Sequence, residues 1–324
     1  MNPLVTIGLP TYKRFAYLQE AVAAALAQTY APIEVLISDD GPGTEIGPWS
    51  RSLAEQDPRV RYQKNAHNLG LAGNWNAVVE AARGEWLVLM GDDDRLCPDF
   101  LEKLVPLGQP DVSVVFANHY LIDEDGHRLL EASRQHTIDY SRDQIPAGRL
   151  VNKECWVWRN ALPMCSAIVR TEDARKLRFK ADLNTPEIEF FLRLACAGGG
   201  FVFHPEYLME YRTHSQSATT AGLWGERLAD YLLPLPVSAE AEPWKRQFMN
   251  GLLPGAVTRA LLLGESGRAR KYLDSPYYPD KGAGGAARCT QRLCAWLPGG
   301  CTLYRMLFSL RHKVLARPPV PRVS

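Results

Sequence analysis

The chain has 324 residues, of which 46% are hydrophobic and 23% charged, as is usual for folded globular proteins and unlike disordered ones. No apolar run approaches the ~20 residues that cross a bilayer, and no signal peptide is evident in the first residues, MNPLVTIGLP. The seven cysteines are scattered without the spacing of a zinc site, so we expect a reduced, cytoplasmic protein.

The net charge of +1 conceals an uneven distribution along the chain. Residues 281–324 contain no Asp or Glu. Their eight basic residues are Lys281, Arg288, Arg292, Arg305, Arg311, Lys313, Arg317 and Arg322. Without these eight, 29 basic residues remain against 36 acidic ones, so the first 280 residues carry a net charge of −7. A basic tail on an acidic body favours an anionic partner, either a membrane surface or nucleic acid.

Apolar, β-branched runs alternate with helical patterns in the first third of the chain. Strands are predicted at 5–10, 33–38, 59–63, 86–90 and 112–118, and helices at 16–28, 71–84 and 98–105. This alternation predicts an α/β fold with a Rossmann-like, mostly parallel sheet flanked by helices. The order of elements at 119–165 is not apparent, and from about residue 221 the pattern becomes helical. Trp156 and Trp158 alternate, which predicts one face of a strand, either in the core or in an acceptor site.

Polar residues follow three of the predicted strands directly. They are residues 10–12 (PTY), 39–40 (DD) and 92–94 (DDD). Because ligands bind beyond the carboxyl ends of strands in such sheets, we expect these three segments to meet at one edge. Three adjacent carboxylates are costly to bury. Residues 92–94 therefore form either a solvated acidic turn or a site for a metal ion that holds a phosphorylated ligand.

Five short motifs extend this pattern: VTIGLPTYKR, ISDDG, NLGLAGNWN, GDDDRLCP and MEYRTHSQS. Their order and spacing, over roughly residues 3–217, resemble the inverting family 2 glycosyltransferases with the GT-A fold, of the bacterial surface-polysaccharide type. The resemblance implies a catalytic GT-A domain at residues 1–220. Residues 221–324 are not covered by it, and their helical pattern and basic C-terminal residues predict a helical, basic extension. It implies sugar transfer, with inversion, from a UDP- or dTDP-linked donor to a hydroxyl of a glycan or lipid-linked acceptor. Synthesis of cell-surface polysaccharide or lipopolysaccharide is the implied process.

The resemblance also implies which residues bind the donor and a divalent cation, Mn²⁺ or Mg²⁺. Asp94 would be the closest metal ligand, with Asp92 and His214 as further ligands, and these groups suit such ions. The residues that would bind the nucleotide sugar are Pro10, Thr11, Tyr12, Asp40, Asn68, Asp92, Asp93 and Arg212. Among them, Asp40 would accept hydrogen bonds from the base or ribose, and Arg212 would meet the diphosphate.

An inverting transferase needs one carboxylate as a general base. In the family this is usually an Asp six residues before a helical Arg, and here Glu187 stands six residues before Arg193. Glu189 is an alternative, but its spacing of four residues from Arg193 predicts a surface ion pair. Asp182 is a third candidate.

The C-terminal residues predict a basic amphipathic helix. Leu303, Met306, Leu307, Leu310 and Val314 share one face of residues 302–316. This face either packs on the catalytic domain or contacts a membrane through residues 302–318. We expect no nucleic-acid partner, and a cytoplasmic location that includes peripheral contact with the inner face of the cytoplasmic membrane.

Three other classes compete with this interpretation. A nucleotidyltransferase of related fold would carry a glycine-rich phosphate loop where this chain has LPTYKRF. A dinucleotide-dependent oxidoreductase would carry G-x-G-x-x-G after a strand, and none is present. A catalytically weak module that only binds nucleotide sugar stays open, because Glu187 departs from the usual Asp.

Overall fold

The computed structural model describes residues 2–43, 45–214, 225–279 and 285–315. The chain divides into two units, Met1–Leu223 with Leu235–Trp244, and Trp224–Pro234 with Lys245–Ser324. Residues 215–224, around the predicted domain boundary at residue 220, lie outside the described ranges. The boundary itself stays a prediction.

The first unit is built on one sheet. Its described strands are β1 (Val5–Thr11), β2 (Ile33–Asp39), β3 (Val60–Lys64), β4 (Trp86–Leu89), β5 (Arg95–Leu96), β6 (Val112–Ile122), β7 (Gly148–Arg149), β8 (Ala167–Arg170) and β9 (Gly200–Arg212). The strand order is β3-β2-β1-β4-β8-β6-β9-β5, and β7 pairs with β9. Its helices are α1 (Phe15–Leu26), α2 (Ile46–Gln56), α3 (Gly70–Ala81), α4 (Phe100–Leu104), α5 (Leu130–Asp139), α6 (Lys153–Trp158), α7 (Thr171–Leu177) and α8 (Glu187–Cys196).

Strands β1 to β4 explain the continuous apolar runs of the sequence. They pair in parallel, and every residue of β2 and β4 is buried, as expected for a sheet covered on both faces. Strand β8 is antiparallel to both β4 and β6, whereas β6 and β9 are parallel, so the whole sheet is mixed. The predicted α/β sheet with flanking helices is confirmed.

Two local elements differ from the sequence prediction. The chain forms a helix, α2, at a polar segment with few buried residues, where no element is predicted. The predicted strand face at Trp156 and Trp158 is wrong, because both lie in helix α6. Residues two apart on a helix point to different sides, so Trp158 is buried while Trp156 is partly exposed.

The described part of the second unit is helical, which confirms the predicted helical C-terminal region. Its helices are α9 (Gly225–Leu232), α10 (Glu242–Leu263), α11 (Ser266–Leu273), α12 (Gly285–Trp296) and α13 (Gly300–Leu315), and the first three residues of α10 belong to the first unit. Within the described ranges, no helix combines the length and apolar character needed to cross a membrane.

Candidate active site

The carboxyl ends of β1, β2 and β4 meet at one edge, as the sequence predicts. Thr11 is the register partner of Asp39, its carbonyl accepts from the backbone N–H of Asp40 (2.9 Å), and its hydroxyl donates to Asp92 (2.7 Å). A Cβ on Gly41 would lie 1.6 Å from the carbonyl oxygen of Tyr12, so only glycine fits where these segments touch.

A cleft of about 450 Å³ opens at this edge. Its lining consists of Pro10, Thr11, Tyr12, Lys13, Arg14, Asp40, Asn68, Gly70, Leu71, Asn74 and Asp92. Six of the eight residues predicted to bind the nucleotide sugar are in this set; Asp93 and Arg212 are not. Lys13 and Arg14 follow Tyr12 directly and add two cations that the sequence prediction did not include.

Asp40 and Asn68 hold the loop that opens helix α3. The Asp40 carboxylate accepts from the backbone N–H groups of Leu69 (2.8 Å) and Gly70 (3.0 Å) and from the side-chain amide of Asn65 (3.0 Å). The Asn68 side chain accepts from the N–H of Gly70 (2.8 Å), which has a left-handed φ of +72°. Both side chains therefore shape the cleft wall by satisfying N–H groups at the start of α3.

The acidic cluster, Asp92 to Asp94, lies behind this cleft and is nearly buried, with 2–9% exposure. Arg14 contacts Asp92 (3.3 Å) and also Asp93, and the Nε2 atom of His214 lies 2.9 Å from Asp93. Asp94 accepts a hydrogen bond from the backbone N–H of Arg212 (3.0 Å). The three predicted metal ligands, Asp92, Asp94 and His214, are thus brought into one cluster from β4 and the end of β9.

Burial makes the ionised forms of the Asp92 and Asp94 carboxylates unfavourable. Burial, assisted by the charge of Asp93, raises the pKa of Asp92 to about 6. The same two causes raise the pKa of Asp94 well above its usual range. Buried carboxylate oxygens that repel one another are a donor set suited to Mg²⁺ or Mn²⁺, so the residues present fit the predicted ion.

Gly91 is a site residue that the sequence prediction missed. A Cβ at this position would lie 2.6 Å from a carboxylate oxygen of Asp93 and 2.9 Å from one of Asp94. The two carboxylates fold back over Gly91, so any larger residue would displace them. The sequence signal is the glycine immediately before the three aspartates.

Arg212, which we predict to meet the diphosphate, has its partners within the protein in this structure. Its guanidinium group is buried, donating to the carbonyls of Asp93 (2.9 Å) and Glu124 (2.8 Å) and to the carboxylate of Glu20 (2.6 Å), and lying over Tyr17. Because its donors are used inside the protein, Arg212 positions the acidic cluster. Nothing in the sequence motifs indicates Glu20 or Tyr17, whose contacts with Arg212 bridge almost 200 residues of chain.

A second cavity, of about 300 Å³, contains Glu187 at the first position of α8. Burial raises the pKa of Glu187 from 4.5 to about 7. Cys165 also lines this cavity. Burial raises the pKa of its thiol, and the negative charges of Asp94 and Glu187 raise it further. The cavity therefore lies beside the acidic cluster.

Glu189 and Asp182 have different surroundings. Glu189 pairs with Arg193 as predicted, through bonds of 2.6 and 2.8 Å, but the predicted surface location is wrong because Glu189 is 1% exposed. Arg193 also donates to the carbonyls of Leu177 and Arg178, so the pair joins α8 to the end of α7. Asp182 lies in the segment before α8 and is not part of the cavity lining that the structure describes.

A second acidic group lies in the turn between β6 and α5. Asp123, Asp125 and His127 have carboxylate and imidazole atoms within 4.8 Å of one another. The Asp123 carboxylate accepts from the backbone N–H groups of Asp125 (3.0 Å) and His127 (2.8 Å), which accounts for its position in an exposed turn.

Comparisons with known proteins agree with this geometry. The family model described as "Glycosyl transferase family 2" matches residues 6–170, just over half of the chain. The glycosyltransferase GlyG of Streptococcus pneumoniae serotype 4 is 29% identical over 161 residues, covering 49% of this chain and 52% of GlyG. The chain thus spans about half the length of this curated relative.

Two solved structures are similar in fold. S. aureus TarS 1-349 in complex with UDP-GlcNAc superposes with a TM-score of 0.63 at 12% identity, covering 96% of this chain and 92% of TarS. The mannosyltransferase PcManGT from Pyrobaculum calidifontis, in complex with GDP-Man and Mn²⁺, has a TM-score of 0.55 at 18% identity, covering 97% and 87%. These likenesses confirm the predicted GT-A fold. With the matched family model and the acidic cluster at the sheet edge, the chain belongs to glycosyl transferase family 2.

Proposed function

We propose that this chain transfers a sugar from a nucleotide diphosphate sugar to a hydroxyl of a glycan or lipid-linked acceptor, with inversion at the anomeric carbon. One arrangement carries the proposal: the cleft and the Glu187 cavity both adjoin one buried acidic cluster, the cleft through Asp92 and the cavity through Cys165, which is affected by the charge of Asp94. Donor and acceptor would then enter from different openings and meet at the cluster. Synthesis of cell-surface polysaccharide or lipopolysaccharide remains the process implied by family resemblance.

The cleft has the groups that a nucleotide needs. The Tyr12 ring is 43% exposed and can stack on a base, and Asp40 can accept from a ring N–H or a ribose hydroxyl. Lys13 lies over the Tyr12 ring, 4.8 Å from its centre, so a cation adjoins the base site. We propose a UDP- or dTDP-linked donor, supported by the UDP-GlcNAc bound to the similar TarS.

Asp94, Asp92 and His214 would hold Mn²⁺ or Mg²⁺. A bound ion would supply Lewis-acid stabilisation of the departing diphosphate. The Mn²⁺ present with GDP-Man in PcManGT supports this assignment. Arg14 bridges Asp92 and Asp93 and offsets part of the repulsion among the carboxylates.

Glu187 would act as the general base. Its carboxylate accepts the proton of the acceptor hydroxyl while the hydroxyl oxygen forms a bond to the anomeric carbon, on the face opposite the diphosphate. The bond between that carbon and the diphosphate oxygen breaks, and its electron pair leaves on the diphosphate. A pKa of about 7 lets Glu187 both take up and release this proton near neutral pH.

The direct test is a panel of UDP-, dTDP- and GDP-linked sugars with Mn²⁺, measured for binding by calorimetry and for nucleoside diphosphate release. We expect one nucleotide class to bind and to be turned over, with loss of turnover in excess EDTA. Asp94→Asn should lose turnover while its circular dichroism spectrum is unchanged. If no nucleotide sugar binds, the proposal is wrong; binding without release under any condition would favour a binding module.

We further propose that helix α13 contacts an anionic membrane surface, at the inner face of the cytoplasmic membrane. Four apolar side chains on one face are exposed: Leu303 (41%), Met306 (59%), Leu307 (42%) and Leu310 (60%). The fifth predicted member, Val314, lies where no side chain is described. Because residues 281–324 contain basic and no acidic residues, anionic lipid is the surface that matches this face in charge.

A further inference from the structure

Arg142 is a buried cation without a carboxylate partner. It begins a short 3-10 turn (Arg142–Gln144) after α5 and is 2% exposed. Its Nε donates to the side-chain oxygen of Asn118 (3.2 Å), and a terminal nitrogen lies 2.8 Å from Nδ1 of His136. Both partners are neutral groups. Among the residues that the structure describes, none of the carboxylates lies within ion-pair distance of this guanidinium.

Other arginines of the same unit show what is missing. Arg193 and Arg212 are also little exposed, and each has a carboxylate partner, Glu189 and Glu20 respectively. An arginine keeps its charge in proteins, and an uncompensated buried charge is unfavourable. Arg142 is therefore suited to an anion that comes from outside the chain.

Two histidines beside Arg142 are neutral. Burial and the charge of Arg142 lower the pKa of His136 to about 4 and that of His119 well below its usual range. They therefore add no charge, but they add hydrogen-bonding groups. His136 accepts at Nδ1 from Arg142, so its proton is on Nε2, which can donate to a ligand.

His119 gives a second, independent indication of a ligand. It is 3% exposed, and its Nδ1 atom has no hydrogen-bond partner within the described parts of the chain. Its ring centre lies 5.0 Å from that of His136. A buried ring nitrogen without a partner is unfavourable, and because His119 lines the cavity, it is a second polar group there that the described chain leaves unsatisfied.

These groups line the 300 Å³ cavity that also holds Glu187. It is the same cavity that we called the Glu187 cavity above, and in its role as an anion site we call it the Arg142 cavity. Its volume is at the small end of ligand pockets, which span roughly 300–1,000 Å³. Tyr140 and Tyr211, which are partly exposed, line it as well. The cavity thus combines a fixed cation, neutral imidazoles and the proposed general base, with no ion pair between Arg142 and Glu187.

We propose that the Arg142 cavity binds the phosphate or carboxylate of an anionic acceptor, and that this contact brings the acceptor hydroxyl to Glu187. Nε and one terminal nitrogen of Arg142 donate to Asn118 and His136, and the other terminal nitrogen, which has no hydrogen-bond partner among the described residues, can donate to either anion. A neutral sugar would leave Arg142 without a counter-ion. The inference rests on the proposed transferase function and narrows its acceptor to sugars or sugar-like units that carry a negative charge.

The test uses full-length protein with three probes: glycerol 1-phosphate, methyl β-glucuronide and the neutral methyl β-glucoside. Binding is measured with the donor cleft occupied by uridine diphosphate and Mn²⁺, and again without them. We expect at least one anion to bind about tenfold or more tightly than the glucoside, and which anion does so identifies phosphate or carboxylate. Equal binding of all three probes would overturn the proposal.

The matched variants are Arg142→Met and Arg149→Met. Arg149 is an exposed arginine seven residues away, paired with Asp111. Arg142→Met should weaken anion binding about tenfold or more, and Arg149→Met should not. Arg142→Met should also bind uridine diphosphate as the wild type does. If it binds uridine diphosphate more weakly instead, the anion is that of the donor and the acceptor assignment is wrong.

NMR of the wild-type protein gives a readout that does not require the Arg142→Met variant to fold. In wild-type protein, the bound anion should shift the imidazole NMR signals of His119 and His136, and Arg142→Lys should reduce the shift. An absence of any shift with both anions contradicts the proposal. If the proposed transferase function is wrong, the wild-type protein will not bind nucleotide sugars. That outcome is separate from the anion-induced NMR shifts, which do not depend on it.

Discussion

Glu187 and Glu189 stand two positions apart in α8 and differ in their surroundings and in their partners. Glu187 lines a cavity, and burial raises its pKa to about 7. Glu189 is enclosed with Arg193, whose two nitrogens hold both carboxylate oxygens. A helix turns residues two apart to different sides, so one carboxylate can accept a proton and the other is fixed in the structure.

We predict that Glu187→Gln binds donor as the wild type does and lowers the transfer rate about 10²- to 10⁴-fold, the usual effect of losing a general base. The wild-type rate should rise with pH through about 7, as Glu187 loses its proton, and the variant should lack this rise. Initial transfer rates, measured across pH with a true acceptor, check this. Unchanged activity in the variant would place the base elsewhere, with Asp182 the next residue to test.

The same residue makes a second, independent prediction about stability. The folded protein holds this proton more tightly than the unfolded chain, so the stability that Glu187 contributes is present below pH 4.5 and lost as the pH rises through 7. Relative to the wild type, the Tm of Glu187→Gln should therefore increase between about pH 5 and about pH 8. A constant difference in Tm would indicate an unburied carboxyl group.

Glu189→Gln is predicted to act on stability. Removing one partner of a buried ion pair costs roughly 3–5 kcal/mol, and the cost here should be toward the low end because Arg193 is 18% exposed and keeps two carbonyl partners. Urea denaturation should give a lower midpoint, with donor binding retained below the transition. Normal stability together with lost transfer would make Glu189 the catalytic carboxylate.

At the scale of elements, helix α13 has two distinct faces. Tyr304 is buried, with its hydroxyl 3.2 Å from that of Thr258, and Arg305 donates to the carbonyl of Leu262 (2.7 Å). The face with Leu303 and Leu310 is exposed instead. The helix is thus attached to α10 along one side, which leaves the apolar side without a protein partner among the described residues.

We predict that the protein binds vesicles of phosphatidylglycerol mixed with phosphatidylcholine, and that Leu310→Glu weakens this binding by about tenfold, since it removes an apolar side chain and adds a negative charge. Leu130→Glu is the matched control, because Leu130 is exposed to a similar degree (56% against 60%) in α5. Sedimentation with vesicles at low and high salt measures both variants. An equal loss of vesicle binding in Leu310→Glu and Leu130→Glu would contradict the proposed membrane contact. So would a wild-type protein that does not bind vesicles at low salt.

At the scale of the molecule, the acidic cluster joins distant parts of the chain. Asp94 accepts from the backbone of Arg212, 118 residues later, and Arg212 in turn pairs with Glu20, 192 residues earlier. Burial, and then the charge of Asp93, raise the pKa values of Asp92 and Asp94, so the ionised carboxylates are unfavourable where they lie. An ion bound at the cluster should therefore stabilise the fold of the whole first unit.

We predict that Mn²⁺ raises the Tm of the wild-type protein. At a concentration about 100-fold above its Kd, a ligand specific to the folded state stabilises it by about 2.7 kcal/mol. The increase should disappear in Asp94→Asn and persist in Asp125→Asn, which changes the exposed acidic turn between β6 and α5. Differential scanning calorimetry measures the increase in Tm. If Mn²⁺ raises the Tm of Asp94→Asn and not that of Asp125→Asn, the metal site is in that turn.

Much of the fold could be predicted from sequence because its signals are local. The apolar run before Asp92 and the turn at Asp40 mark where two parallel strands end, and parallel strands bring their carboxyl ends to one edge. Helix α2 escaped prediction because few of its residues are fully buried, and its larger apolar side chains, Trp49 and Leu53, are only partly buried against the core. The strand expected at Trp156 was wrong because an alternation over three residues also fits a short helix.

The sequence by itself therefore determined the α/β sheet, the edge where ligands bind, and the acidic cluster, since strand periodicity and strand ends are encoded in neighbouring residues. Tertiary structure alone decided which charged side chains have partners. Arg212 is bound by Glu20, and Glu189 is paired with Arg193. Arg193 also donates to the carbonyls of Leu177 and Arg178, whereas Arg142 is left with neutral neighbours. Burial and pairing depend on residues far apart in the chain, and these determine whether a charge stabilises the fold or is available to a substrate.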